Sequence, residues 1–273
     1  SRRQRQMCIR DRSKDRKKLV IAVSSSTNPG DYYLFDKEGG TLSFLWDRSP
    51  WIKRELLSAK QPISYVARDG LKINGYLTIP KNSDGKNLPM IVHPHGGPNA
   101  RDTFGYDPYV QFLASRGYVV FQPNFRGSTG YGAKHYILAN KQFGKTMQDD
   151  ITDGVKFLTN NGVADKDRIA IFGGSYGGYA TMAGLAFTPD LYAAGINYVG
   201  VVDLELLQEG SNRNSRRFNG FYHELRLEWG DPDIPEDMEY IIETSPLRQA
   251  QNIKSPVLIM HGAQDNNVKL VHA

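Results

Sequence analysis

The strongest chemical signal in the sequence is GGSYGG at residues 173–178, which centres a G-x-S-x-G pattern on Ser175. The strand-like run RIAIF precedes it and a helix-like run follows. In that context the serine occupies a strained turn that presents its hydroxyl outward, as in a nucleophile elbow. Gly173 and Gly177 would let neighbouring backbone approach closely, and the helix N-terminus would favour a developing oxyanion. We therefore predict that Ser175 is a catalytic nucleophile.

A second segment, HPHGGP at residues 93–98, directly follows the apolar run PMIV. In hydrolases with such an elbow, a loop of this kind donates a backbone N–H to the oxyanion, and Gly96 and Gly97 would let the chain turn an amide inward. The partner donor would be the N–H of Tyr176, the residue after the nucleophile. The alternative is that His93 and His95 bind a metal ion, but the chain after residue 18 offers no cysteine and no second histidine pair to complete such a site.

Candidates for the remaining catalytic groups come late in the chain. Asp265, in HGAQD after the strand-like run VLIM, follows Ser175 in the chain order that this chemistry uses for its acid. A solvated loop aspartate is the plain alternative, and Asp203 is a second candidate acid. Of six histidines only His272 follows Asp265. Chain order makes His272 a candidate base, but we expect the catalytic histidine to lie beyond Ala273, after a further helix and strand.

These residues must be positioned by a sheet with helices between its strands. From residue 61 a hairpin, Ile63–Val66 with Leu71–Ile79, is followed by apolar strand-like runs that alternate with helical ones. This alternation predicts right-handed crossovers and a mostly parallel α/β sheet. We expect helices in the charged stretch from Leu204 to Ile242. The predicted strands are Leu88–Pro94, Tyr118–Gln122, Arg168–Phe172, Ala193–Tyr198 and Val257–Met260, and the predicted helices are Tyr109–Ser115, Asp149–Asn160 and Tyr179–Phe187.

The segment before this sheet is of a different kind. Residues 17–47 contain three strand-like runs separated by the turn signals NPG and EGG. Three strands bury little surface and leave edges unpaired. We therefore interpret this meander as an incomplete sheet of a larger all-β domain. Residues 51–60 read as a connector.

The net charge of +5 over 273 residues comes from one end of the chain. Residues 1–18 hold nine basic and two acidic residues, which leaves the remainder at −2. The leader lacks the aromatic residues that would stack on bases, so we exclude nucleic acid as a partner. We interpret residues 1–16 as a disordered, non-native basic leader. No run of about 20 apolar residues is present, so no membrane span is expected.

Taken together, the motifs resemble the prolyl oligopeptidase family of serine peptidases, in particular its acylaminoacyl-peptidase and dipeptidyl-peptidase-like branch. The resemblance covers the chain from about Leu19 and is carried by the following segments: ARDGLKINGYLTIP, HPHGGP, QFLASRGYVVFQPNFRGSTGYG, GGSYGGYATM and TSPLRQAQNIKSPVLIMHGAQDNNV. It implies an α/β-hydrolase domain over residues 61–273, incomplete at its C-terminus. It also implies that residues 17–60 are the last blade of a β-propeller with its connector.

The resemblance further implies Ser175 as nucleophile, Asp265 as acid, and Tyr176 and Gly97 as the two oxyanion donors. Arg126 lies in the family segment NFRGSTGYG; we assign it no catalytic role, and a buried ion pair that holds the loop is an equally good interpretation. The expected activity is hydrolysis of short peptides through an acyl-enzyme, without a metal or organic cofactor. An esterase on the same fold and a non-catalytic binding module are the alternatives. Peptide specificity, compartment and oligomeric state stay open.

Overall fold

We describe the fold from a computed structural model, in which residues 6–209 and 226–273 are described. Part of the charged stretch that we expected to be helical, and His223 within it, therefore lie outside the described residues. The chain divides into two compact units. The first comprises Ser1–Pro62, Tyr76–Gly85 and Thr103–Val120, and the second Ile63–Gly75, Lys86–Asp102 and Phe121–Ala273.

The first unit contains a four-stranded antiparallel sheet with its strands in chain order. The strands are β1 (Gln6–Arg12), β2 (Lys18–Ser25), β3 (Asn28–Asp36) and β4 (Thr41–Asp47). Period-2 alternation buries Leu19 and Ile21 of β2 on one face. Across β3 and β4, Tyr32 and Trp46 stack with ring centroids 4.4 Å apart. The three-stranded meander inferred from residues 17–47 is thus present as β2–β4.

The structure differs from the sequence interpretation at β1. We expected residues 1–16 to be a disordered leader, yet Gln6–Arg12 pairs antiparallel with β2, Ile9 opposite Ile21. Backbone pairing explains the difference, because the outer edge of β2 offers a row of N–H and C=O groups that any extended segment can satisfy. The charged side chains of β1 are exposed and do not oppose this pairing.

The connector contains an ion-paired turn. Arg54, in the short 3₁₀ turn Arg54–Leu56, donates to both oxygens of Asp31 at 2.8 and 2.5 Å and lies 2.6 Å from Asp47. These bonds lower the pKa of Asp31, so its carboxylate stays charged. The turn that leads away from the four-stranded sheet is therefore tied to β3 and β4.

The second sheet has seven strands in the order β11-β10-β9-β7-β8-β6-β5. The strand bounds are β5 Lys60–Val66, β6 Lys72–Thr78, β7 Leu88–Val92, β8 Val119–Asn124, β9 Ala164–Gly174, β10 Ala194–Tyr198 and β11 Val257–Met260. The strands β7, β9, β10 and β11 run parallel, which confirms the mostly parallel α/β sheet. The carboxyl ends of these four strands consequently meet at one edge of the sheet.

Helices connect the strands. They are α1 Pro108–Ala114, α2 Ala133–Ile137, α3 Thr146–Asn160, α4 Tyr176–Phe187, α5 Leu204–Glu209 and α6 Pro235–Glu243. Helix α3 buries one stripe, with Ile151 and Val155 fully enclosed, whereas α4 is buried over its first eleven residues. Short 3₁₀ turns lie at Pro246–Asn252 and Leu270–His272. Among residues 6–209 and 226–273, no helix combines the length and apolarity that a bilayer crossing requires.

Two element boundaries differ from the sequence estimates in an instructive way. Helix α4 begins at Tyr176, three residues before our estimate, so Gly177 and Gly178 are helical despite their poor helix propensity. Strand β9 begins at Ala164 rather than Arg168, because its parallel pairing with β7 already starts at Leu88. At both boundaries, contacts with distant parts of the chain outweigh the secondary-structure preference of the local residues.

Candidate active site

Ser175 lies in the tight turn between β9 and α4. Its backbone has φ 56° and ψ −119°, a left-handed conformation that residues with a Cβ rarely adopt. The Ser175 N–H donates to the carbonyl of Tyr198 at 3.0 Å, and the Ser175 carbonyl accepts from the Tyr179 N–H at 3.0 Å. These bonds fix the turn from β10 and from the first turn of α4. The Ser175 residue itself is half-buried and directly follows the carboxyl end of β9.

The glycines around Ser175 are required by backbone contact. A Cβ at Gly173 would lie closer than 3.0 Å to the Gly177 backbone, and a Cβ at Gly177 equally close to the carbonyl oxygen of Pro94. A Cβ at Gly178 would collide with the side chain of Asn197. The G-x-S-x-G spacing therefore reflects two close approaches, one of them to the HPHGGP loop, and Gly178 adds a third outside the pattern.

The HPHGGP loop leaves β7 and lies against the elbow. A Cβ at Gly96 would be 3.0 Å from the carbonyl oxygen of Gly174 and 3.4 Å from the Cβ of Ser175. Gly97 is exposed and has φ 127°, where a side chain would be strained and would crowd the Asn99 N–H. The structure thus brings Gly96, the first glycine of the HGG segment, next to Ser175.

Tyr176 begins α4 and is buried in an aromatic cluster. Its ring centroid lies 5.2 Å from Phe125, 4.9 Å from Phe143 and 5.5 Å from Tyr179. Burial raises the pKa of its hydroxyl well above the ordinary value, so the phenol is neutral. The side chain packs into the core while the backbone N–H belongs to the first turn of the helix.

The two histidines of the loop contact separate groups. His93 Nδ1 lies 2.7 Å from the Phe172 carbonyl, whereas His95 places Nδ1 2.8 Å from the Gly96 carbonyl and Nε2 2.9 Å from Ser128 Oγ. Burial lowers the pKa of His95 to about 4. Across the described ranges, no group of three histidine, cysteine or acidic side chains is placed to hold a metal ion.

Asp265 is on the loop that follows β11. Its Oδ1 accepts the backbone N–H groups of Val268 and Asn267 at 2.9 and 2.8 Å, and these bonds lower the pKa of the carboxyl. His261, at the end of the strand, closes the same loop through Nε2, which lies 2.8 Å from the Val268 carbonyl. Because β11 runs parallel to β9 with β10 between them, Asp265 and Ser175 follow strands that end at the same edge.

The other candidate acid and base are held in buried contacts. Asp203 is fully buried, and its oxygens accept from the N–H groups of Glu205 and Leu206 and from Arg248 Nε at 2.8 Å. His272 is also buried, with Nδ1 3.4 Å from the Val202 N–H. Burial lowers the pKa of His272, which keeps its ring neutral at pH 7.

Arg126 forms the buried ion pair that the sequence suggested. Its backbone N–H and Nε each donate to Asp150 Oδ2, at 2.9 and 2.8 Å, and its Nη2 donates to Asp150 Oδ1 at 2.7 Å. The same Nη2 lies 2.8 Å from Asp69 Oδ2. Asp150 is fully enclosed. The guanidinium is therefore occupied in fixing the NFRGSTGYG loop on α3.

Two hydrogen-bonded contacts at or directly after the HGGP loop were not evident from the sequence. Glu228, 5% exposed, accepts at Oε1 from Asn99 Nδ2 (2.6 Å) and from the Tyr136 hydroxyl (2.8 Å). Glu228 is 129 residues from Asn99, so no local pattern could pair them. The contact between His95 and Ser128 also joins two motifs that the sequence analysis treated separately.

An elbow serine on a mostly parallel α/β sheet, with an HGG loop against it, is the arrangement typical of serine hydrolases with the α/β-hydrolase fold. A scan of family models matches residues 104–273 to "Prolyl oligopeptidase family". The chain belongs to that family of serine peptidases.

Relatives and solved structures agree with this assignment. The chain is 38% identical over 268 residues to dipeptidyl aminopeptidase BIII of Pseudoxanthomonas mexicana, covering 96% of this chain and 38% of the relative. It is 33% identical over 285 residues to dipeptidyl peptidase family member 6 of Caenorhabditis elegans, with the same coverage. A puromycin-hydrolysing peptidase of Mycobacterium tuberculosis superposes with a TM-score of 0.81 at 27% identity, covering 94% of this chain and 38% of that one. The chain thus spans 38% of the length of these relatives.

Proposed function

We propose that the chain carries the acylating centre of a serine peptidase that cleaves short peptides, with Ser175 as nucleophile. The observation that supports this most is the packing of Gly96 against Gly174 and Ser175. In that contact Gly96 lies beside a serine whose backbone is strained, which supports the interpretation of this turn as a nucleophile elbow. The names of the relatives as aminopeptidases and peptidases favour the peptide bond as the target.

In the proposed mechanism Ser175 Oγ attacks the substrate carbonyl carbon and loses its proton to a general base. The carbonyl oxygen becomes an oxyanion that accepts from the N–H groups of Tyr176 and Gly97. Collapse of this intermediate breaks the C–N bond, and the protonated base returns the proton to the leaving amine. Water then repeats the attack on the acyl-enzyme, so that the acid product leaves and Ser175 regains its proton. Asp265 is the acid that would orient the base and stabilise its cation.

The base itself is proposed to be a histidine outside residues 1–273. The described imidazoles of His93, His95, His135 and His261 each have a ring nitrogen within hydrogen-bond distance of a backbone carbonyl, and His272 is buried. Each is therefore held by a structural contact. We expect the 273-residue chain alone to turn over peptides several orders of magnitude more slowly than a complete triad would.

Chemical rescue tests both parts of the proposal. The chain is mixed with a peptidyl-naphthylamide or a p-nitrophenyl ester, with and without added imidazole, beside Ser175→Ala. We expect almost no turnover without imidazole, and acylation above the solution reaction when imidazole supplies the base. This gain should be absent in Ser175→Ala.

Three outcomes would change the account. Strong turnover without imidazole that Ser175→Ala abolishes would place the base within the chain, and loss of it in His272→Ala would identify that residue. Ester but no peptide cleavage would favour an esterase. Equal acylation of wild type and Ser175→Ala would remove the proposed nucleophile.

A further inference from the structure

We propose that Arg101 binds a carboxylate of the peptide substrate, either the free C-terminus of a short peptide or an acidic side chain close to the scissile bond. This inference rests on the proposed function and names the class of peptide that the site would favour. It also gives a role to Gly130 and Tyr131 of the NFRGSTGYG segment, which the mechanism above does not use.

Arg101 begins directly beside the proposed oxyanion donor Gly97. The chain turns back after Gly97, so that a Cβ at Gly97 would lie 3.0 Å from the backbone nitrogen of Ala100, the residue before Arg101. The Ala100 N–H donates to the Pro98 carbonyl at 2.8 Å and closes this turn. An extended peptide advances about 3.3–3.6 Å per residue, so a carboxylate one to three residues from the scissile bond lies about 3–11 Å from it. A long side chain that starts beside Gly97 is therefore suited to reach such a carboxylate.

Hydrogen bonds on both sides fix the backbone of Arg101. Before it, the Ala100 carbonyl accepts the Thr129 N–H at 2.9 Å. After it, the Asp102 N–H donates to Asn124 Oδ1 at 2.8 Å, and Asn124 Nδ2 donates to the Asp102 carbonyl at 3.2 Å. Asn124 is fully buried at the end of β8. The point from which the Arg101 side chain departs is thus held by the central sheet.

The guanidinium of Arg101 lies on a surface made by Gly130 and Tyr131. Its Cζ is 5.0 Å from the centroid of the Tyr131 ring. A Cβ at Gly130 would collide with Arg101 Nη1 and lie 3.4 Å from Cζ. The Tyr131 hydroxyl accepts from Asn124 Nδ2 at 2.8 Å, which holds the ring in place. A guanidinium supported in this way loses little rotamer freedom when a ligand binds.

This cation has no acidic partner among the described residues. Arg101 is exposed, and its Nε makes one long contact with the Asp102 carbonyl, at 3.4 Å. The acidic side chains on and against this loop have other partners. Asp102 Oδ1 accepts from Gln122 Nε2 at 2.7 Å, and Glu228 Oε1 accepts from Asn99 Nδ2 at 2.6 Å. The N–H groups of the guanidinium therefore face a position that a substrate carboxylate can fill with two parallel hydrogen bonds.

The test is protection of Ser175 from a fluorophosphonate by short peptides. The reagent forms a P–O bond to Ser175 Oγ and loses fluoride, and added imidazole takes up the proton. Tri-alanine with a free C-terminus is compared with tri-alanine amide. We expect the acid to halve the labelling rate at a concentration about three- to tenfold below that of the amide, as for a bidentate ion pair that stays partly exposed to water.

Variants assign this preference to one side chain. In Arg101→Gln the acid should protect no better than the amide. Arg101→Lys keeps the charge without the planar fork and should retain part of the preference. Arg116→Gln is the matched control, because Arg116 is also exposed and its Cζ lies 3.5 Å from the centroid of the Phe112 ring. This control should show the full preference.

A second pair of peptides distinguishes the source of the carboxylate. Ala-Ala-Asp amide and Ala-Ala-Asn amide differ in one side-chain carboxylate and have no free C-terminus. A preference for the aspartate peptide that Arg101→Gln removes would support binding of an acidic side chain. A preference for tri-alanine acid alone, also removed by Arg101→Gln, would support binding of the C-terminus.

The remaining outcomes separate this inference from the proposed function. Labelling of wild-type Ser175 with no preference for any carboxylate, with a preference that survives in Arg101→Gln, or with no protection by any of the peptides would overturn carboxylate binding alone. No labelling of wild-type Ser175 would overturn the proposed function. If Arg101→Gln does not fold, a preference in Arg101→Lys as large as in the wild type would count against the guanidinium.

Discussion

The strained backbone of Ser175 makes an unusual prediction about stability. At φ 56° and ψ −119° a residue with a Cβ is in a sparsely populated region, whereas glycine adopts it freely. Ser175→Ala keeps the Cβ and the strain, and Ser175→Gly removes both. We therefore expect the glycine variant to be the more stable of the two, although glycine normally destabilises a folded chain.

The magnitude follows from two opposing contributions. Strain of this kind costs about 1–3 kcal/mol, and relief of it is offset by about 0.4–1 kcal/mol of extra backbone entropy in the unfolded chain. The free energy of unfolding of Ser175→Gly should therefore exceed that of Ser175→Ala by up to about 2.6 kcal/mol. The assay is urea unfolding followed by circular dichroism, with the comparison restricted to variants of equal m-value.

Ser115 supplies the matched control. It caps the end of α1 with φ −65° and ψ −15°, where a Cβ is not strained. At this position Ser115→Gly should be less stable than Ser115→Ala. If Ser175→Gly is also less stable than Ser175→Ala, the elbow is not strained and the argument for an outward-directed nucleophile loses its physical basis.

Three further predictions concern the surroundings of the elbow. Arg126→Met leaves Asp150 buried without its partner and should lower the free energy of unfolding, measured by urea titration, by about 3–5 kcal/mol. Adding Asp150→Leu to this variant should restore part of the lost stability. Gly177→Ala places a Cβ against the Pro94 carbonyl and should lower imidazole-assisted labelling of Ser175 more than tenfold with the circular dichroism spectrum unchanged; wild-type labelling would contradict this. The pKa of His95 is about 4 in the folded chain and 6.5 in the unfolded chain. As the pH falls, the unfolded state therefore takes up this proton at a higher pH than the folded state does. The free energy of unfolding should therefore fall between pH 6.5 and pH 4, and this group accounts for at most about 3 kcal/mol of that fall. In His95→Gln the fall should be less steep.

Local chemistry explains which features the sequence could predict. The elbow and the HGG loop need particular residues at fixed spacing, because backbone approaches closer than a Cβ permits exclude every residue but glycine. The order of strands and helices could also be predicted, because it follows from hydrophobic periodicity. The proximity of Ser175 to Gly96 of the HGG loop is thus predictable from motifs alone.

Contacts between distant segments were not predictable in the same way. The hydrogen bond of Asn99 with Glu228 and that of His95 with Ser128 join residues 129 and 33 positions apart. Neither pair forms a periodic or spaced pattern. The pairing of Gln6–Arg12 with β2 was also missed, because an exposed backbone edge imposes no demand on side-chain type.

The most direct test of the central claim is where a fluorophosphonate reacts with the chain. The purified protein is treated with the reagent and imidazole, digested, and mapped by mass spectrometry. The account predicts one adduct per chain, on the peptide that contains Ser175, and none in Ser175→Ala. An adduct distributed over several serines, or one that persists unchanged in Ser175→Ala, would contradict it.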